Sequence, residues 1–165
     1  MALAYSSDQV ANRFQVPPAS PHSAGEVHVA TFEVALDAEL AADDLVGLAA
    51  IPPDCIPVDI TLMPTDLDTG TPALAFDVGI LNAAGTDLVP SSLLIDGSTA
   101  GGSGSVARMD DYECAYEPAT WLAQTTCPEK HEEKIVALKV MTAAATAAAG
   151  TIRGHVLYRS AHNGI

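Results

Sequence analysis

In this 165-residue chain the string with the most recognisable chemistry is Asp68-Thr69-Gly70, the tripeptide that carries the catalytic aspartate of aspartic proteases. Those enzymes need two such aspartates sharing one proton, each reached along apolar strand residues. Here the flank is Thr65-Asp66-Leu67, set between two prolines, and the tripeptide has no second copy. Its neighbours instead support a turn in which Asp68 accepts backbone N–H bonds. Asp66 and Asp68, with Asp59 and Asp77 nearby in sequence, offer oxygen ligands to Ca²⁺. The spacing of a calcium loop, with its bidentate glutamate at the end, is missing, so a solvated turn is the expectation.

Cys114, Cys127 and His131 make a C-x12-C-x3-H arrangement. Zinc sites present paired ligands at short spacing and four in total; there is no C-x-x-C here, and a fourth ligand would have to be borrowed from elsewhere. A Cys114–Cys127 disulfide would close the stretch between them in an oxidising medium, whereas two small buried thiols are the default. The Ser/Gly run at 98–105 has neither a Gly-x-Ser-x-Gly elbow nor the lysine of a phosphate loop. The five histidines, at 22, 28, 131, 155 and 162, sit in no motif. His155 falls on the polar face of a strand, solvent-facing or at an interface, and the charged cluster 129–134 reads as a solvated edge beside a strand. No catalytic residue, metal or cofactor is expected, and the chain does not read as an enzyme.

Seven Lys+Arg against 21 Asp+Glu give a formal net charge of −14. Such a chain repels nucleic acid and anionic lipid, so neither is an expected partner. Acidity is not disorder here, because 48% of residues are hydrophobic and only 17% charged. Much of the apolar content is alanine and only 5% is aromatic, which predicts a thin core. Three cysteines are too few for a disulfide framework. The start of the chain has no basic, apolar leader, and no apolar run is long enough to span a bilayer. A soluble protein made in a reducing cytosol is the expectation.

The elements that would carry these residues are strands. Residues 1–25 are polar, broken by Pro17, Pro18 and Pro21, and predict an extended arm. It is either a frayed terminus or an arm docked on a neighbouring subunit through Tyr5, Phe14 and Val16. From 26 to 36, Ala30, Phe32, Val34 and Leu36 fall on one face. Residues 37–53 suit helix or strand and read as a loop, with a turn at Asp43-Asp44, feeding a short strand that Pro52-Pro53 closes. Val58, Ile60 and Leu62, then Leu74, Phe76, Val78 and Ile80, mark two strands around a turn-rich loop at 64–72. The Gly/Ser-rich 96–105 reads as flexible and exposed, and 109–133, with the one tryptophan, as irregular. Two last strands, 134–141 and 151–159, flank 143–149, which reads as a hairpin connection or part of a long strand. Six or so strands without long helices predict one all-β sandwich or barrel over 26–165.

The order of these segments resembles a family of small virion proteins encoded beside the major capsid protein of tailed bacteriophages. The strings that carry the resemblance are LVGLAAIPP at 45–53, VDITL at 58–62, DLDTGTPALAFDVGI at 66–80, LIDGSTAGGSGSVAR at 94–108, and the strand pair within 134–158 linked by TAAATAAAG. They span roughly 26–160; the arm and the Trp121 region match nothing in it. The resemblance implies a capsid decoration, or cement, protein with a jelly-roll-like β-sandwich. It would sit on the outer capsid surface as a homodimer or homotrimer and brace the major capsid protein. Aromatic and arginine anchors dominate interfaces, which nominates Tyr5, Phe14, Val16, Tyr116, Trp121, Arg153 and Arg159 as contacts. A β-sandwich binding module of a phage tail or fibre, recognising host glycans, is the alternative; with 1 Trp, 4 Tyr and 3 Phe the chain is poorly equipped for it.

Overall fold

The computed structural model describes residues 5–6, 26–37, 39–110 and 132–160, with the backbone alone at 5, 6 and 91. They form nine strands: β1 Tyr5–Ser6, β2 Val27–Leu36, β3 Leu45–Ile51, β4 Cys55–Pro64, β5 Ala75–Leu81, β6 Leu88–Ser98, β7 Ala107–Arg108, β8 Lys134–Thr142 and β9 Gly150–Ser160. One sheet runs β1-β3-β8-β5-β6 and the other β2-β9-β4-β7. From β2 onward every connection crosses between the sheets except β5–β6. That is the strand order of an eight-stranded jelly roll: the strand pattern predicted an all-β sandwich or barrel, and the resemblance implied the jelly roll.

Period-two burial explains the layers. In β2, Ala30, Phe32, Val34 and Leu36 are buried while Thr31, Glu33 and Ala35 are exposed. In β9, Ile152, Val156 and Tyr158 turn inward against them. The facing sheet supplies Val46, Leu48, Phe76, Val78, Ile80, Val136, Leu138 and Val140. Aromatic rings are few between the sheets: Phe32, Phe76 and Tyr158 stand among aliphatic side chains. Burial pushes the Tyr158 hydroxyl pKa up, and its ring stacks on His28 at 5.9 Å between centroids.

Several segments depart from the sequence expectations for physical reasons. β3 is buried at all seven positions, so its pattern shows no period at all. On the outer side of its sheet a second apolar cluster forms from Leu45, Leu81, Leu88 and Ala137. The six expected strands omit β6 and β7. β6 pairs with β5 through three register shifts, and those irregularities erase alternation. Part of the Gly/Ser run is not exposed: Ala100, Gly101 and Gly102 form a buried 3-10 turn. A Cβ on Gly101 would lie 2.7 Å from the Leu74 side chain, so glycine is there for close approach rather than flexibility. Residues 143–149 are neither a hairpin nor strand; they carry the chain from one sheet to the other, between β8 and β9. Lys134, expected on a solvated edge, is fully buried at the start of β8, its Nζ donating to the Glu132 carbonyl at 3.1 Å.

Gly154 sits where β9 passes between β2 and β4. A Cβ there would collide with the Thr61 carbonyl oxygen and lie 2.7 Å from Phe32 Cζ. Neither neighbour is a flexible chain end. Gly154→Ala is therefore expected to cost about 1–3 kcal/mol through overpacking, read as a fall of roughly 3–10 °C in Tm by calorimetry. An unchanged Tm would show that β4 and β9 are not in this register.

Candidate interaction surface

Asp68 heads the protease-like tripeptide, and its carboxylate is 1% exposed. It is not free for chemistry. Oδ2 accepts from the backbone N–H of Ala73 at 2.8 Å, Leu74 at 3.2 Å and Ala145 at 3.0 Å, while Oδ1 accepts from Thr146 at 2.8 Å. Two of those donors lie in the β4–β5 loop and two in the β8–β9 connection. A bridge between Asp68 and Ala147 reinforces the junction. The side chain is thus a clasp joining two loops at one end of the sandwich, the turn-type role its neighbours predicted. The N–H bonds hold the carboxyl far below the usual aspartate range.

The other acidic residues weighed for calcium are engaged separately. Asp66 Oδ1 accepts from the Asp68 N–H, Asp77 Oδ1 from the Gly97 N–H, and Asp59 Oδ2 from Arg108. No group of three metal-ligating side chains gathers among the described residues. Lys139 bridges Asp87 at 2.9 Å and Asp43 at 3.3 Å. Its hydrogen bond to Asp87 lowers that carboxyl's pKa, and the two aspartates raise the lysine's.

Among the described residues, a broad exposed surface is the outer face of the β2-β9-β4-β7 sheet. The register lays out three rows across it: Val29, Leu157 and Asp59; Thr31, His155 and Thr61; Glu33, Arg153 and Met63. Val27, Val29 and Met63 are 50%, 56% and 45% exposed. Ion pairs tie the strands: Arg153 to Glu33 at 3.1 Å and Arg108 to Asp59 at 3.0 Å. The first lowers the Glu33 pKa through the guanidinium hydrogen bond. Both arginines are well exposed, so each pair contributes little stability. The face combines apolar side chains with arginines, a composition suited to burying surface against a partner rather than to bond-making chemistry.

Of the sequence-nominated contacts, Arg153 and Arg159 share β9 and this outer face. Arg153 is exposed, and Arg159 is half-buried, donating to the Ser160 carbonyl at 3.4 Å. Tyr5 lies in β1, paired in parallel with Val46 of β3, so this part of the arm lines an edge of its own sheet. Phe14, Val16, Tyr116 and Trp121 lie outside the described residues, as do Cys114, Cys127 and His131. Sequence reasoning passed over Val27, Val29 and Met63. The signal was present: valines at 27 and 29 are out of phase with the inward set that begins at Ala30.

No family model matches the chain, and no curated protein matches it. Solved structures do. A chain in the capsid of Ralstonia phage GP4 aligns at 27% identity and a TM-score of 0.71, over 96% of this chain and 98% of that one. A chain in the capsid asymmetric unit of cyanophage Pam1 aligns at 25% identity and a TM-score of 0.58, over 88% and 94%. The fold is one found in phage capsids. Because the first alignment spans nearly all of both chains, that capsid chain is a subunit of this same small size.

The Asp68 clasp makes stability depend on acid. In the unfolded chain an aspartate titrates near 3.8; in the fold Asp68 titrates lower, so its contribution is complete above that value and is lost as pH falls below it. Glu33 and Asp87 shift in the same direction. Asp68→Asn is expected to lower Tm at neutral pH by roughly 5–10 °C. It should also flatten the fall in Tm between about pH 4 and about pH 2. Calorimetry across that range checks both; an equally steep fall in the variant would mean that Asp68 does not carry the dependence.

Proposed function

We propose that the chain is a structural virion protein: a capsid decoration, or cement, protein that stabilises contacts between major capsid protein capsomers on the outer shell of a tailed phage. The observation that carries this reading is similarity, over 96% and 88% of this chain, to small chains of two phage capsids. The physical character of the chain supports it. A net charge of −14 gives no attraction to packaged DNA, which suits an outward position. The outer sheet face offers exposed valines, Met63 and arginines. A capsid lattice repeats one contact many times, so a modest affinity at each site suffices for lasting attachment. The arm at 1–25 and the contacts Tyr5, Phe14, Val16, Tyr116, Trp121, Arg153 and Arg159 belong to this reading as the attachment surface, in dimers or trimers.

The test is co-sedimentation of the purified protein with phage heads and, separately, with tails. Binding to DNA-filled heads, with none to tails, is expected; binding to tails alone would overturn the reading in favour of a tail module. Removing residues 1–25 should abolish head binding while the sandwich still folds, read by circular dichroism. Undiminished binding would remove the arm from attachment.

A further inference from the structure

A β-sandwich has sheet edges, and an open edge is a row of backbone N–H and C=O groups ready to pair with another chain. Three of the edges here are finished in ways that discourage pairing. β7 is two residues long. β6 is broken by three register shifts and contains Pro90. β3 is lined on its outer side by Tyr5–Ser6.

β2 is different. It is ten residues long and pairs with β9 without a single register shift. Its sequence, VHVATFEVAL, contains no proline or lysine and a single acidic residue, Glu33. Among the described residues no strand pairs with its other side. Val27 and Val29, two of the exposed apolar residues of the outer face, lie on this same strand.

We infer that β2 is a dimerisation edge, at which a second copy of this chain adds its own β2 antiparallel about a two-fold axis, making one continuous sheet of eight strands. The occupant follows from the sequence of the strand. Opposed residues in an antiparallel pair share a face, so a self-pair must set odd positions against odd and even against even. Centring the axis on Thr31 or on Phe32 does this and overlaps nine of the ten residues. Centred on Thr31, Val29 meets Glu33 and Val27 meets Ala35; centred on Phe32, Thr31 meets Glu33 and Val29 meets Ala35. In neither does Glu33 oppose Glu33, so two copies of an acidic protein meet here along the strand without like charges directly opposed. The single arrangement also completes both open edges at once, leaving no strand to propagate a fibre. The inference specifies the oligomer of the proposed virion protein but does not need the capsid to be tested.

The experiment is sedimentation equilibrium on the purified full chain, with hydrogen exchange across residues 27–36. The wild type should be a dimer, and exchange in that segment should slow as concentration rises through the dissociation range. The double substitution Val29→Glu/Thr31→Glu, at two exposed positions, sets a new glutamate opposite Glu33 in either register. It should weaken dimerisation by roughly a hundredfold or more while leaving the monomer folded by circular dichroism. A control with the same added charge elsewhere, Val106→Glu/Met141→Glu, should stay dimeric. A monomeric wild type overturns the inference. So does a dimer that survives Val29→Glu/Thr31→Glu, or one whose 27–36 exchange is independent of concentration. A monomer that still binds heads would reject the dimer and keep the virion role; a dimer that ignores heads would do the reverse.

Discussion

The contact between the inner faces of the two sheets is the interaction on which the rest of this molecule depends. Each strand has one apolar face to remove from water, and no strand can do so alone. The aliphatic side chains of β2, β4 and β9 meet those of β3, β5 and β8, and loops must then cross between sheets at both ends of the sandwich. Crossing loops carry backbone polar groups into poorly solvated places, where each needs a partner. Asp68 answers that need at one end, where its carboxylate takes four N–H groups from two loops. The residue that looked most like a catalyst is therefore a consequence of the fold's topology.

The same topology governs how the chain can act on others. A jelly roll leaves two outer faces and several edges, and here they are not alike. One outer face carries the buried cluster around Leu45 and Ala137, while the other exposes valines, Met63 and paired arginines. One edge is long and regular, and the others are short, irregular or already lined. These are the surfaces that the proposed virion role would use. The small size of the capsid chains, and their similarity over 96% and 88% of this chain, accord with such a part.

How much of this was legible in the sequence depended on whether a segment had one face or two in contact with protein. β2 and β9 are solvated on one side, so their alternation could be read directly. β3 is buried on both sides, and LVGLAAI consequently looked like helix or strand alike. β6 follows no period because its register shifts place Leu94 and Ile95 inside in succession. Glycine misled at 101–102, where small size permits packing on Leu74 and Pro72, and Lys134 misled because its charged neighbours suggested solvent. The turn at Asp68 was legible because its flanking prolines and short polar residues act locally. The contact surface was the least legible part: Arg153 and Arg159 were found by residue type, but Val27, Val29 and Met63 become a surface only once the register is known.

Whether this chain has a place in the virion is decided by a reconstruction of the intact phage. Jelly-roll density of this size is expected on the outside of the DNA-filled head, seated over the seams between capsomers, into which these two sheets dock without rearrangement. Heads that are bare at those seams, with the same density found on the tail, would contradict it.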